Sequence, residues 1–125
     1  MGPTVMVVDD AASVRFQLRR AFTEAGFEVA EAADGDVAWA LIEGGARPSV
    51  MICDVNMPRM SGFELLEHLT AAGHLPALPV LMLTTEGQPE LMQRAKAMGA
   101  KAWIVKPFKG ELVVAAVRRI LQGAR

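Results

Sequence analysis

Five polar residues sit where short apolar runs end. Asp9 and Asp10 follow Val5-Met6-Val7-Val8, Asp54 follows Val50-Met51-Ile52-Cys53, Thr84 follows Val80-Leu81-Met82-Leu83, and Lys106 follows Ala102-Trp103-Ile104-Val105. Singly, each has a plain structural reading. An aspartate after a strand is most often a turn residue or helix cap, a threonine there is usually structural, and a lysine is usually solvated. Together they are harder to dismiss. Three carboxylates brought together repel one another, and a hard divalent cation relieves that repulsion. Magnesium suits such a cluster because it takes a few carboxylate oxygens, keeps waters, and completes its shell with phosphate oxygens. A carboxylate can also act as a nucleophile and form an aspartyl phosphate. An anion attacking an anionic phosphoryl group needs positive charge nearby, which a metal and a lysine ammonium supply. A threonine hydroxyl can then hydrogen-bond a phosphoryl oxygen, so that its rotamer responds to phosphorylation.

For these residues to meet, the elements carrying them must share an edge. The four runs are apolar on both faces, as strands of a central parallel sheet must be, whereas Phe27-Glu28-Val29-Ala30-Glu31 alternates like an edge strand. Amphipathic stretches separate the runs. The first has Val14, Leu18, Ala21 and Ala25 on one stripe. The third opens with the capping-box pattern Ser61-Gly62-Phe63-Glu64. The fourth has Pro89 near its start and a Leu91, Ala95, Met98 stripe. Gly26, Gly44, Gly73, Gly99 and Gly123 follow such stretches, where a left-handed helix cap favours glycine. The pattern predicts βα repeated five times, an α/β fold with helices on both faces of the sheet. In such a sheet all carboxyl ends lie on one edge, and ligands bind there at the switch in strand order.

Composition narrows the alternatives. The 125 residues fit one compact domain, with structure expected over about residues 4–122, and leave no room for an effector domain. A formal net charge of -1 offers no broad basic footprint for nucleic acid, so no direct contact with DNA is expected. The single cysteine, Cys53, excludes an internal disulfide and suits a reducing compartment. No apolar run approaches the roughly 20 residues of a membrane span, and the N-terminus lacks the pattern of a signal peptide. A cytoplasmic protein is expected.

Motifs in four places carry a resemblance. Asp9-Asp10, Asp54-Val55-Asn56-Met57-Pro58-Arg59-Met60-Ser61-Gly62, Thr84-Thr85-Glu86 and Lys106-Pro107-Phe108 resemble the response-regulator receiver family over nearly the whole chain, from about Val5 to about Leu121. The resemblance implies a doubly wound, CheY-like (flavodoxin-like) fold with five parallel strands in the order 2-1-3-4-5 and five helices. It further implies that Asp54 is the phosphoacceptor and that Asp9, Asp10, Asp54 and the Asn56 carbonyl hold magnesium. Thr84 and Lys106 would contact the phosphoryl group, and the Lys106-Pro107 bond would be cis. Trp103 stands at the family's aromatic switch position, usually Tyr or Phe, and Ser61 stands where many relatives carry Asp. The implied role is a phosphoacceptor switch that assists its own phosphorylation and dephosphorylation but is not otherwise an enzyme. Its implied partners are a histidine kinase, an output protein such as a flagellar motor component, and in some cases a phosphatase.

Within the family, Thr84-Thr85-Glu86 and the stretch from Gly99 to Phe108 are similar to single-domain chemotaxis regulators. Asn56 and Glu86, each two residues beyond a key position, are similar to regulators with short-lived phosphorylation. A second reading is a phosphorelay carrier that passes phosphate to a histidine phosphotransfer protein. A third is an aspartate-nucleophile phosphatase or a flavodoxin-like protein. The adjacent pair Asp9-Asp10 and the loop Ala11-Ala12-Ser13-Val14 suit neither. His68 and His74 are expected on the surface, Cys53 in a buried strand, and Met92 exposed near Trp103. Phe16 is expected to lean on the last helix or, as the minority reading, to serve an interface. The broad apolar face of that helix suits a monomer, with dimerisation as the minority reading.

Overall fold

The computed structural model describes residues 2–123 and alternates strand and helix five times. The elements are β1 (Thr4–Val8), α1 (Ala12–Glu24), β2 (Glu28–Ala32), α2 (Gly35–Glu43), β3 (Val50–Cys53), α3 (Gly62–Ala71), β4 (Val80–Thr84), α4 (Pro89–Ala97), β5 (Ala102–Val105) and α5 (Gly110–Gly123). The strands form one parallel sheet in the order β2-β1-β3-β4-β5, as expected. The order reverses direction beside β1, which opens a crevice between the carboxyl ends of β1 and β3.

The doubly apolar strands follow from two layers of packing. Successive side chains on a strand point to opposite faces. Met6, Val8, Met51, Cys53, Val80 and Met82 meet Ala38 and Ile42 of α2, Phe63, Leu66 and Leu69 of α3, and Ala95 of α4. Their neighbours Val5, Val7, Val50, Ile52, Leu81 and Leu83 face the other way, onto Leu18 and Phe22 of α1 and Val113, Val114 and Val117 of α5. Fully burying a side chain of this size contributes about 1.5–3 kcal/mol. β2 is less buried, as an edge strand should be, and β5, at the other edge, is not buried on both faces as its apolar run suggests: Val105 is 41 % exposed, because no strand covers that side.

Local signals set the helix starts. Ser61 and Glu64 form the capping box at α3, with Ser61 Oγ accepting from the Glu64 amide and the Glu64 carboxylate accepting from the Ser61 amide. Pro89 is at the first turn of α4. Asp34, to which the sequence reading gave no role, caps α2 by accepting from the Val37 amide at 3.0 Å.

Other local expectations change. Gly26, Gly73 and Gly99 take positive φ, but the left-handed residue after α2 is Gly45 rather than Gly44, and Gly123 is the last residue of α5. Phe16 does not lean on α5; it is 67 % exposed on α1. His68 is exposed but His74 is half-buried, and both rings meet Trp39 edge-on, at 5.3 and 6.3 Å between centroids. Lys106-Pro107 is cis, as the resemblance implied, and Leu75-Pro76 is cis as well.

Candidate functional site

The sheet carries Asp9, Asp10 and Asp54 to the same edge, where one carboxylate oxygen from each lies within 4.8 Å of the others. Asp9 extends β1 by one step, donating its amide to the Ala32 carbonyl of β2 at 3.1 Å. Asp54 extends β3 likewise, onto the Val8 carbonyl at 3.0 Å. These main-chain bonds fix where the two side chains start. Asp9 and Asp54 are buried and Asp10 is exposed. The pocket therefore has two inner carboxylates and one at its mouth.

Lys106 joins the inner pair. Its ammonium donates to Asp9 Oδ2 at 2.8 Å and to Asp54 Oδ2 at 3.2 Å. The other carboxylate oxygens are held by main-chain amides, Asp9 Oδ1 by Ala11 at 2.9 Å and Asp54 Oδ1 by Val55 at 2.7 Å. Burial raises the Asp9 carboxyl above its ordinary range, against the opposing hydrogen bond from Lys106. Burial alone would lower the Lys106 ammonium. The Asp9 hydrogen bond and the charges of both carboxylates together outweigh that, and its net shift is upward. Lys106 is therefore a firm cation at neutral pH.

The opposite wall is a connected chain centred on Glu86. Its amide donates to Thr84 Oγ1 at 3.3 Å, its carbonyl accepts the Trp103 indole N–H at 2.9 Å, and its carboxylate accepts from the Asn56 side chain at 2.6 Å. Thr84 is fully buried at the end of β4. Trp103 is half-buried, packs against the core on the α4 side, and lies 6.4 Å from Phe63 between ring centroids. Met92 lines a cavity of about 550 Å³ with Trp103 and is half-buried rather than exposed. Thr84, Asn56 and Trp103, far apart in sequence, thus meet through Glu86.

Two further features frame Asp54. A Cβ added to Gly62, at the start of α3, would overlap the Asp54 carbonyl oxygen, and the Gly62 amide donates to the Val55 carbonyl at 2.9 Å. Arg59, at φ 67° in the same loop, places its guanidinium 3.4 Å from the buried Asp34 carboxylate. Cys53 beside Asp54 is buried as expected, and burial pushes its thiol far up, as for a core residue.

The donor set is all oxygen and crowded with negative charge, which matches a hard divalent cation such as magnesium better than a transition metal. The ammonium held between two buried carboxylates supplies positive charge of the kind a nucleophilic aspartate would use against an anionic group.

The fold and this pocket define a phosphoacceptor module, and comparison with known proteins agrees. Residues 5–118 match the response regulator receiver domain, and the chain belongs to that family. It is 34% identical to the chemotaxis protein CheY of Thermotoga maritima over 121 residues, covering 96% of this chain and 98% of that protein. It is 34% identical to the chemotaxis protein CheY1 of Helicobacter pylori over 110 residues, 87% of this chain and 89% of that one. The solved structure of Vibrio cholerae chemotaxis protein CheY4 superposes with a TM-score of 0.88 at 42% identity, covering 96% of this chain and 99% of that chain. The chain is thus a receiver domain of the two-component response-regulator class. Family membership sets aside the phosphatase and flavodoxin readings.

Proposed function

We propose that this protein is a single-domain switch, phosphorylated on Asp54 by a histidine kinase and signalling to a protein partner in chemotaxis or motility. The observation that carries the reading is the Lys106 ammonium held between Asp9 and Asp54, with Asp10 at the pocket mouth. In the transfer, an Asp54 carboxylate oxygen attacks phosphorus, the bond from phosphorus to the kinase histidine breaks, and its electron pair stays on the imidazole. Asp9, Asp10, Asp54 and the Asn56 carbonyl would hold magnesium, which when bound supplies positive charge beside the attacking oxygen and the phosphoryl group. Lys106 adds a second cation on its own side of the Asp54 carboxylate, and the Thr84 hydroxyl donates to a phosphoryl oxygen. Asn56 and Glu86, joined by a hydrogen bond at the exposed side of the site, would set the lifetime of the phosphate. The similarity to CheY proteins supports the chemotaxis assignment, a cytoplasmic location and a monomer acting on an output protein such as a motor component, with a phosphatase as a further partner.

The competing role is a carrier for a histidine phosphotransfer protein. After loading from a histidine kinase, the parent should lose phosphate to water faster than to an added histidine phosphotransfer protein. Rapid, near-complete transfer to the histidine would make the carrier the right assignment.

Phosphorylation shifts an existing equilibrium between two arrangements of the Thr84–Glu86 loop, with Trp103 following through its bond to the Glu86 carbonyl. The face of α4, β5 and α5, with Met92 and Lys101, would change with it. In a Trp39→Phe background, Trp103 emission should shift on adding phosphodonor and magnesium. The shift should vanish in Asp54→Asn and shrink in Thr84→Ala. Constant emission and iodide quenching on a protein shown to carry phosphate would remove Trp103 from the switch.

A further inference from the structure

Arg15 lies in the first turn of α1, where a long cationic side chain would ordinarily reach into water. Instead it is turned inward and 19 % exposed, donating Nη1 to the main-chain carbonyl of Asp9 at 2.6 Å and Nε to Glu31 Oε1 of β2 at 3.1 Å. Arg19, one turn further along α1, takes the other Glu31 oxygen. Those two arginines, Arg19 foremost, hold the Glu31 carboxyl below its usual range, so Glu31 stays a firm anchor. The guanidinium is fixed at one end by β2 and grips the Asp9 carbonyl with the other.

That carbonyl belongs to the peptide between Asp9 and Asp10. With it held, every polar atom of Asp9 is engaged: the amide by Ala32, the carbonyl by Arg15, and the two carboxylate oxygens by Ala11 and Lys106. Asp10 differs. Among the described residues its carboxylate makes no hydrogen bond, so only the main chain sets its place in the cluster. Turning the Asp9–Asp10 peptide would swing the Asp10 side chain away from Asp9 and Asp54. We propose that Arg15, braced by Glu31, is a positioning residue that fixes this peptide and so presents Asp10 to the cation. The proposal rests on the reading of Asp9, Asp10 and Asp54 as a magnesium site.

Charge and geometry make opposite predictions here, which gives the test its force. Arg15 is a positive charge close to a cation site, so by Coulomb repulsion alone its removal should tighten magnesium binding. If it acts by orienting the ligands, removal should weaken binding, and residues that orient metal ligands typically matter tenfold or more. Magnesium titration by calorimetry should show Arg15→Ala about tenfold weaker than the parent. Arg15→Lys, which can reach one partner but not span both, should fall between. Arg20→Ala, which loses only an exposed pair with Glu24, should match the parent. In the metal-free protein the Asp10 amide nitrogen resonance, which senses the preceding carbonyl, should move in Arg15→Ala and not in Arg20→Ala. Equal or tighter magnesium binding by a folded Arg15→Ala overturns the proposal and leaves the metal site standing. Failure of the parent to bind magnesium overturns the metal site, and an unmoved Asp10 resonance would then overturn the positioning role too. Should Arg15→Ala not fold, Arg15→Lys decides: parental affinity overturns the proposal.

Discussion

Incubated with a small phosphodonor and magnesium, the parent protein should gain the mass of one phosphoryl group, and Asp54→Asn should gain none. The effect is all or nothing because the substitution removes the nucleophile while sparing what surrounds it. An asparagine oxygen can still accept from the Val55 amide, and Lys106 keeps its shorter bond to Asp9. Asp9 has the same charge but cannot take over. It is the more enclosed of the two, 2 % exposed against 7 % for Asp54, and takes the shorter bond from Lys106, 2.8 Å against 3.2 Å. Intact-mass spectra before and after mild base, which cleaves an acyl phosphate, make the measurement. Full labelling of Asp54→Asn would place the acceptor elsewhere and dismantle the assignment of the whole pocket.

Asp10→Ala should cost magnesium affinity more than tenfold while melting no lower than the parent without metal. Its carboxylate is exposed and repelled by two neighbours, so deleting it relieves repulsion and leaves no buried partner unpaired. Asp9→Ala should behave differently. It strands half of the Lys106 ion pair and opens a hole beside the buried end of β1, so it should melt lower in metal-free buffer. Magnesium titration and thermal melts on the same two variants separate ligand from scaffold. If Asp10→Ala binds magnesium like the parent, the acidic cluster is not the metal site.

The strands were legible because strands packed on both faces leave unbroken apolar runs, plain at Val5, Val50 and Val80 and present at Ala102, while their order came only from the resemblance to receiver domains. Each polar residue that ended a run came to the expected edge for the same reason. What could not be read was how those residues are held. Glu86 joins Thr84, Asn56 and Trp103 through its amide and carbonyl as well as its side chain, and main-chain donors leave no mark on residue type. Arg15 resembles any solvated arginine on a helix until β2 brings Glu31 alongside. Phe16 was misjudged because a helix stripe says which face is buried but not which neighbour reaches the margin of that face.

The glycine at the head of α3 bears on how the pocket can move. On that side, backbone presses on backbone: Gly62 sits so near the Asp54 carbonyl that not even a methyl group fits, and its amide is bonded to the Val55 carbonyl, so neither can close on the other. Across the pocket, the Thr84–Glu86 loop is moored by hydrogen bonds, each worth about 0.5–1.5 kcal/mol net and each able to break and re-form separately. In the proposed role, Asp54 would therefore work in a vice with one jaw cast into the frame and one on a slide. A phosphoryl group wedged between them would do its mechanical work almost wholly on the sliding jaw, sending displacement toward Trp103 and α4 and leaving α3 as the anvil.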